Sequence, residues 1–342
     1  MTDLVVGGGA VGTLIAWALA SGGREVAVVR RALGVGQRPA EVAAIDPDGA
    51  RRSAAVTEVG RPEDLANVPD LIVFAVKMFD LTSAAESCAV WPSAPALTVS
   101  NGVGAEQIVV DIRPGAALIA GSVTASVEPE GEGTTRRLNR GGIGIAPVRG
   151  DVERLIADLL AAFSASGLRA GRVDDAAAMK WSKLLANLVG NATSAIVDRS
   201  PAELYADPGV FAIERRQLLE ALAVMRQRHL APVALPGADI RLLAAAVRLP
   251  AFLARPVLRR VVVGARGGKD PSLRLGARSG ASRSEVDWLN GAVATEAEQL
   301  GGSAPVNRRL TTLVREVLAD PARREWFNGH PDRLVEAVGI GT

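Results

Sequence analysis

Three polar side chains recur every fourth residue in an otherwise apolar stretch, KWSKLLANLVGNATSAIVD (180–198): Lys183, Asn187 and Asn191. On a continuous α-helix this spacing lines them along one face, drifting about 40° per step. Trp181, Leu184, Leu185, Leu188 and Val189 surround them with apolar neighbours, and a buried amide or ammonium without a partner costs about 1–3 kcal/mol. A ligand cleft would supply the partners. The alternative is an amphipathic helix facing water, although Ser182 and Gly190 hardly complete a polar face. A partly desolvated lysine has a lowered pKa and suits proton donation near neutral pH.

A second constellation opens the chain, in LVVGGGAVGTLIAWALASGG (4–23). A secretory signal would need a basic flank, and only Asp3 precedes the run. The run is long enough to span a membrane, but Gly7, Gly8, Gly9 and Gly12 would weaken such a helix. A short strand, glycines at G-x-G-x-x-G spacing and an apolar helix from Thr13 explain all of it. In that pattern the first glycine makes a tight turn, the second admits a pyrophosphate and the third lets helix pack on strand. The expected phosphate cradle is Gly7, Gly8, Gly9, Ala10, Val11 and Gly12. The next apolar run, EVAVVR (25–30), ends in Arg30 and Arg31 with no acid. Arginine there accommodates the extra phosphate of NADP, where an acid would hold the ribose of NAD. Lys77, closing LIVFAVK, is a further candidate cation at a strand's carboxyl end; for all three, a solvated loop is the plain alternative.

These residues need a frame, and 342 residues with 48% apolar content are enough for two domains. Strands are expected at 25–30, 71–76, 96–99, 117–120 and 142–146, alternating with helical stretches as in a doubly wound parallel sheet. Turn-rich punctuation, such as PDG at 47–49, falls between them. Helical patterns then take over at 176–197, 208–230, 237–248, 284–300 and 306–319. The fold class is therefore an α/β Rossmann-like domain over 1–175 followed by an all-α domain over 176–342. In 270–293, Ser282 and Glu285 have capping-box spacing, and Ser272 follows Pro271 as a turn residue would. The basic, apolar segment 251–270 is interrupted by Pro256 and reads as a surface segment rather than a membrane helix.

Several classes of function are excluded. Net charge is only +2 and no basic block with interleaved aromatics appears, so neither nucleic acid nor membrane is expected as a partner. Cys88 is the sole cysteine, and His229 and His330 stand apart without ligand-spaced neighbours. A cytoplasmic protein without a metal is expected.

Taken in order, VVGGGAVG, FAVKMFD, SNGVGAEQ, KWSKLLANLVGNATSA, DPSLRLGARSGASRSEVDWLNGAV and GGSAPVNRRLTTLV resemble the ketopantoate reductase (2-dehydropantoate 2-reductase, ApbA/PanE) family along almost the whole chain. The resemblance implies NADP(H) as cofactor, with the glycines on the pyrophosphate and Arg31 and Lys77 near the NADP phosphate. It implies Asn101 between nicotinamide and substrate, Lys183 as general acid, Asn187, Asn191 and Ser272 as substrate contacts, and Glu285 as a cleft residue taking part in catalysis. The expected reaction is NADPH-dependent reduction of a 2-oxo acid, ketopantoate by default. The expected partners are that small molecule and, at most, a second copy in a homodimer. Where the family often has a substrate-binding asparagine this chain has Pro201, and the run Leu273–Gly276 replaces the usual Met-Leu-Gln-Asp. The segment around 249–269 is also longer than usual. These departures leave open another carbonyl or imine substrate; a non-catalytic NADPH-binding sensor is the alternative outside enzymes.

Overall fold

In the computed structural model, which describes residues 2–265 and 270–339, the chain forms two compact units. The first comprises Met1–Lys180 with Leu235–Ala238, the second Trp181–Ala234 with Asp239–Thr342.

The short apolar runs of the first unit become the strands of one sheet. In chain order these are β1 (Thr2–Val6), β2 (Glu25–Val29), β3 (Gln37–Ile45), β4 (Arg51–Val59), β5 (Leu71–Phe74), β6 (Ala96–Thr98), β7 (Leu118–Val123), β8 (Val127–Pro129), β9 (Thr134–Arg137), β10 (Gly142–Arg149) and β11 (Arg169–Arg172). They lie in the order β11-β10-β7-β6-β5-β1-β2-β4-β3-β9-β8. The block from β7 through β6, β5, β1 and β2 to β4 is parallel. The β3–β4, β8–β9 and β7–β10 pairs are antiparallel, so the sheet is mixed at its flanks rather than parallel throughout.

The chain leaves β1 to one side for β2 and later returns on the other side for β5. That reversal opens a ligand crevice at the carboxyl ends of the strands. Helix α1 (Ala10–Ser21) is buried from Gly12 to Leu19, which explains its almost uniformly apolar sequence. Helices α2 (Met78–Ser87), α3 (Ala105–Ile112) and α4 (Glu153–Ala165) complete the alternation.

The 176–197 pattern forms two helices, α5 (Ala176–Leu188) and α6 (Ala192–Val197), instead of one. Gly190 takes φ +57° between them, a left-handed conformation that ends the first helix. Helices α7 (Pro201–Ala206), α8 (Pro208–Gln227), α9 (Ile240–Arg248), α10 (Ala251–Ala265), α11 (Ser272–Arg278), α12 (Asn290–Gln299), α13 (Pro305–Ala319), α14 (Pro321–Phe327) and α15 (Pro331–Val338) follow. Between α8 and α9 a small hairpin pairs β12 (Ala234–Leu235) with β13 (Ala238–Asp239), and its tip belongs to the first unit. There the Thr124 hydroxyl donates to the Pro236 carbonyl, and a Cβ at Gly144 would lie 3.5 Å from Pro236 Cδ.

Pro256 does not interrupt its segment: α10 runs through it. The lost backbone donor is offset by one-sided packing, with Ala254 and Leu258 fully buried and the Arg255 guanidinium held by the carbonyls of Tyr205 and Ala206. No helix among the described residues is long and apolar enough to cross a membrane.

Candidate active site

The glycine loop joins β1 to α1 at the carboxyl edge of the sheet. Its glycines have separable causes. A Cβ on Gly12 would overlap the Gly7 carbonyl oxygen, and one on Gly7 would lie 2.6 Å from the Ala75 oxygen, so close backbone packing demands both. A Cβ on Gly8 would run into the guanidinium of Arg30. Gly9, the N-cap of α1, has nothing within 4 Å of that position. Its bare backbone faces open space at a helix N-terminus, where an anion is favoured. Those observations fit a dinucleotide's pyrophosphate.

Arg30 and Arg31 differ sharply. Arg30 Nη1 donates to the Gly8 carbonyl at 2.6 Å and its Nε to Glu58 at 3.0 Å. Glu58, nearly buried on β4, is shared with Arg38 at 2.7 Å. Arg30 thus braces the loop, whereas Arg31 is exposed in the single turn Arg31–Leu33 beyond β2. Lys77 is exposed at the N-cap of α2, and Asn101 is half-buried in the loop after β6. The Ser100 hydroxyl donates to the Val76 carbonyl at 2.7 Å, tying the Asn101 loop to the Lys77 loop.

In the second unit Lys183 and Asn187 share one face of α5, both half-buried. Asn191 lies beyond the Gly190 break and is not on the same helix, so the three do not form a continuous stripe. The break has its own anchor, Glu214 on α8, which is fully buried. Its carboxylate accepts from the Gly190 N–H at 2.8 Å, the Tyr205 hydroxyl at 2.9 Å and the Thr193 hydroxyl at 2.6 Å. Asn191 Oδ1 accepts from the Leu273 N–H at 3.1 Å, bringing it to the first turn of α11, where Ser272 is exposed.

The Ser282–Glu285 capping box does not form. Glu285 precedes a 3₁₀ turn (Val286–Trp288), α12 starts only at Asn290, and no side-chain cap is made at either start. Glu285 is instead 4% exposed, a buried carboxylate in the helical unit. Arg274, inside the run that departs from the family pattern, binds Asp198 at 2.8 Å and Asp270 at 2.7 Å. Burial alone would raise the Asp198 carboxyl, but Arg274 and Arg278 outweigh it and hold it below the ordinary aspartate range.

Spacing missed Glu214, and it read Arg30 only as a cation beside Arg31, not as the brace of the glycine loop. Glu214 is a charged residue within the buried part of α8, as are Gln217 and Glu220, and polar side chains among the apolar residues of one long helix are the one signal it left.

Models of the ketopantoate reductase PanE/ApbA family match residues 4–150 and, for its C-terminal part, 175–318. This chain belongs to the ketopantoate reductase family. It is an oxidoreductase of a dinucleotide-binding kind that acts on a CH–OH group and its oxidised counterpart. The 2-dehydropantoate 2-reductase of Halobacterium salinarum is 26% identical over 319 residues, covering 92% of this chain and 98% of that protein. That of Mesorhizobium japonicum is 28% identical over 249 residues, 66% of this chain and 76% of its own. The crystal structure of a PanE/ApbA family ketopantoate reductase from Ralstonia eutropha superposes with a TM-score of 0.75 at 27% identity, covering 93% and 99% of the two chains. D-mandelate dehydrogenase, solved with NADH and anilino(oxo)acetate, shares the fold at a TM-score of 0.74 and 19% identity, over 96% and 99% of the two chains.

Proposed function

We propose that this ketopantoate reductase family member reduces a 2-oxo acid to the 2-hydroxy acid with NADPH in the cytoplasm, with 2-dehydropantoate as the default substrate. The observation that carries the reading is the glycine cradle, in which packing accounts for Gly7 and Gly12 and leaves Gly9 open to a ligand. Residues 1–175 hold the cofactor and 176–342 supply the substrate groups. Arg31 and Lys77 meet the 2′-phosphate. Arg31 suits this role because its neighbour Arg30 is already committed to Glu58 and Gly8.

When bound, the dihydronicotinamide supplies a hydride to the carbonyl carbon. Asn101 orients that exchange. Lys183 hydrogen-bonds the carbonyl oxygen as negative charge gathers there and then gives it a proton, so the C=O group ends as CH–OH. Asn187, Asn191 and the Ser272 hydroxyl hold the substrate, and Glu285 lines the cleft beside the reacting groups.

A second reading concerns the acid's tail. Pro201 packs against Gly190, and Arg274 is bound to two aspartates, so neither presents a polar group to a hydroxylated tail. This favours a 2-oxo acid with an apolar side chain over ketopantoate. Oxidation of NADPH at 340 nm with ketopantoate and a panel of other 2-oxo acids, with NADH in parallel, tests both readings. Lys183→Ala is expected to lower kcat about 100-fold or more while NADPH binding is kept; turnover within about threefold of wild type would remove Lys183 from the acid role.

A further inference from the structure

The first unit contains a largely buried ion pair, Lys180 buried and Glu106 half-buried, outside the residues so far given a role. Lys180, on α5 one turn before Lys183, is 4% exposed, and its Nζ lies 3.0 Å from Glu106 Oε1. Glu106 stands in the first turn of α3, where the helix dipole favours an acid, and it accepts from the Thr98 hydroxyl at 2.5 Å. Burial by itself would raise its carboxyl, but the Lys180 charge and the Thr98 hydroxyl together bring it below the ordinary glutamate range. The same Lys180 ammonium donates to the Ser100 carbonyl at 3.3 Å.

That last contact sets the purpose of the pair. The Ser100 carbonyl belongs to the peptide unit that ends at the Asn101 nitrogen, and the Ser100 hydroxyl is fixed on the Val76 carbonyl. Lys180 therefore holds one side of this peptide and β5's extension holds the other. Taking two charges out of water costs several kcal/mol per ion, and an apolar pair of similar volume serves a core equally well or better. A buried pair that spends a hydrogen bond on a loop carbonyl is suited to fixing geometry.

We propose that Lys180 and Glu106 are positioning residues for the nicotinamide half of the cofactor, a clamp that sets the Asn101 loop without touching ligand. The proposal rests on the reading that Asn101 meets the nicotinamide. Its consequence is selective. The adenosine half, held by the glycine loop and Arg31, should not sense the clamp.

The test uses the full chain carrying Lys180→Met and Glu106→Leu together, so that no lone buried charge remains, beside Lys180→Met alone. Binding of NADPH and of 2′-phospho-ADP-ribose, which lacks the nicotinamide, is titrated along with thermal melting. The double variant is expected to melt within about 2 °C of wild type, to bind 2′-phospho-ADP-ribose normally, and to lose about tenfold in NADPH affinity and in kcat. Lys180→Met alone should show the same selective loss on top of a lowered melting temperature. Wild-type NADPH affinity and kcat in the folded double variant would overturn the clamp, as would equal weakening of both ligands. A wild-type protein that binds NADPH but reduces no 2-oxo acid would count against the reaction proposed above, and the ratio of the two affinities would still decide the clamp.

Discussion

The glycine loop and the Gly190 break both interrupt regular structure beside proposed site residues, but they are built by opposite means. The loop works through absent side chains: its backbone is packed so tightly that Gly7 and Gly12 admit no Cβ, and Gly9 leaves a bare approach. The break works through present ones, since a buried glutamate collects the Gly190 N–H and two hydroxyls. A site made of backbone is written into sequence as spacing. A site made of side chains drawn from distant helices is not.

The comparison breaks most readily at the loop. Gly12→Ala should lower dinucleotide affinity by at least about 100-fold, because the Gly7 carbonyl must shift to admit the methyl group. Gly9→Ala should bind about tenfold more weakly with a melting temperature within about 1 °C of wild type, since nothing in the protein meets its methyl. If Gly9→Ala melted far lower while binding normally, the open face would not be the pyrophosphate's. At the break the order of effects should reverse. Gly190→Ala forces an alanine to positive φ and against Pro201, costing about 2 kcal/mol and lowering the melting temperature by about 4–8 °C. Its NADPH affinity should stay at the wild-type value, and calorimetry beside a cofactor titration reads both.

The smallest effect sharpens the comparison by pH. Asp198 follows the second helix of the broken pair and has its carboxyl held low by Arg274 and Arg278. A depressed folded value adds stability above the ordinary aspartate pKa of about 3.9, and the gain is lost as pH falls through the folded value. Asp198→Asn should therefore melt about 2–3 °C lower at pH 7, a loss of about 1 kcal/mol once solvent screening of this partly exposed group is allowed for. The two curves should converge in acid below that range. A gap that persisted at pH 2 would show that the side chain acts by packing and not by charge.

The Rossmann-like half and the helical half were both legible in the sequence, because burial imposes its period wherever an element has an apolar face. The β3–β4 hairpin was less so: Gln37, Arg38, Pro39 and Glu41 are exposed, and only Val42, Ala43 and Ala44 are fully buried in β3, which leaves no alternation to read. Lys183 and Asn187 could be aligned by spacing. Asn191 could not, since a spacing of four looks the same whether a helix continues or restarts after a left-handed glycine. Glu285 illustrates a further limit: its distance from Ser282 suits a cap, but nothing local announces that the helix begins later, at Asn290. Pro256 erred in the other direction, because anchors far along the chain, at Tyr205 and Ala206, keep its helix intact.

The small hairpin at 234–239 has a consequence for how the protein is made. Its tip, Leu235–Ala238, covers Gly144 and Gly171 and accepts the Thr124 hydroxyl, so the sheet unit lacks a piece of its own surface until that tip leaves the ribosome. Synthesis runs from the amino end, and domains ordinarily fold as they emerge. Here the nascent sheet must wait through α5 to α8 with that patch bare, and a fragment ending at residue 180 would keep it bare permanently. Dissecting the chain into separately expressed halves therefore calls for a graft of the hairpin tip, not a single cut.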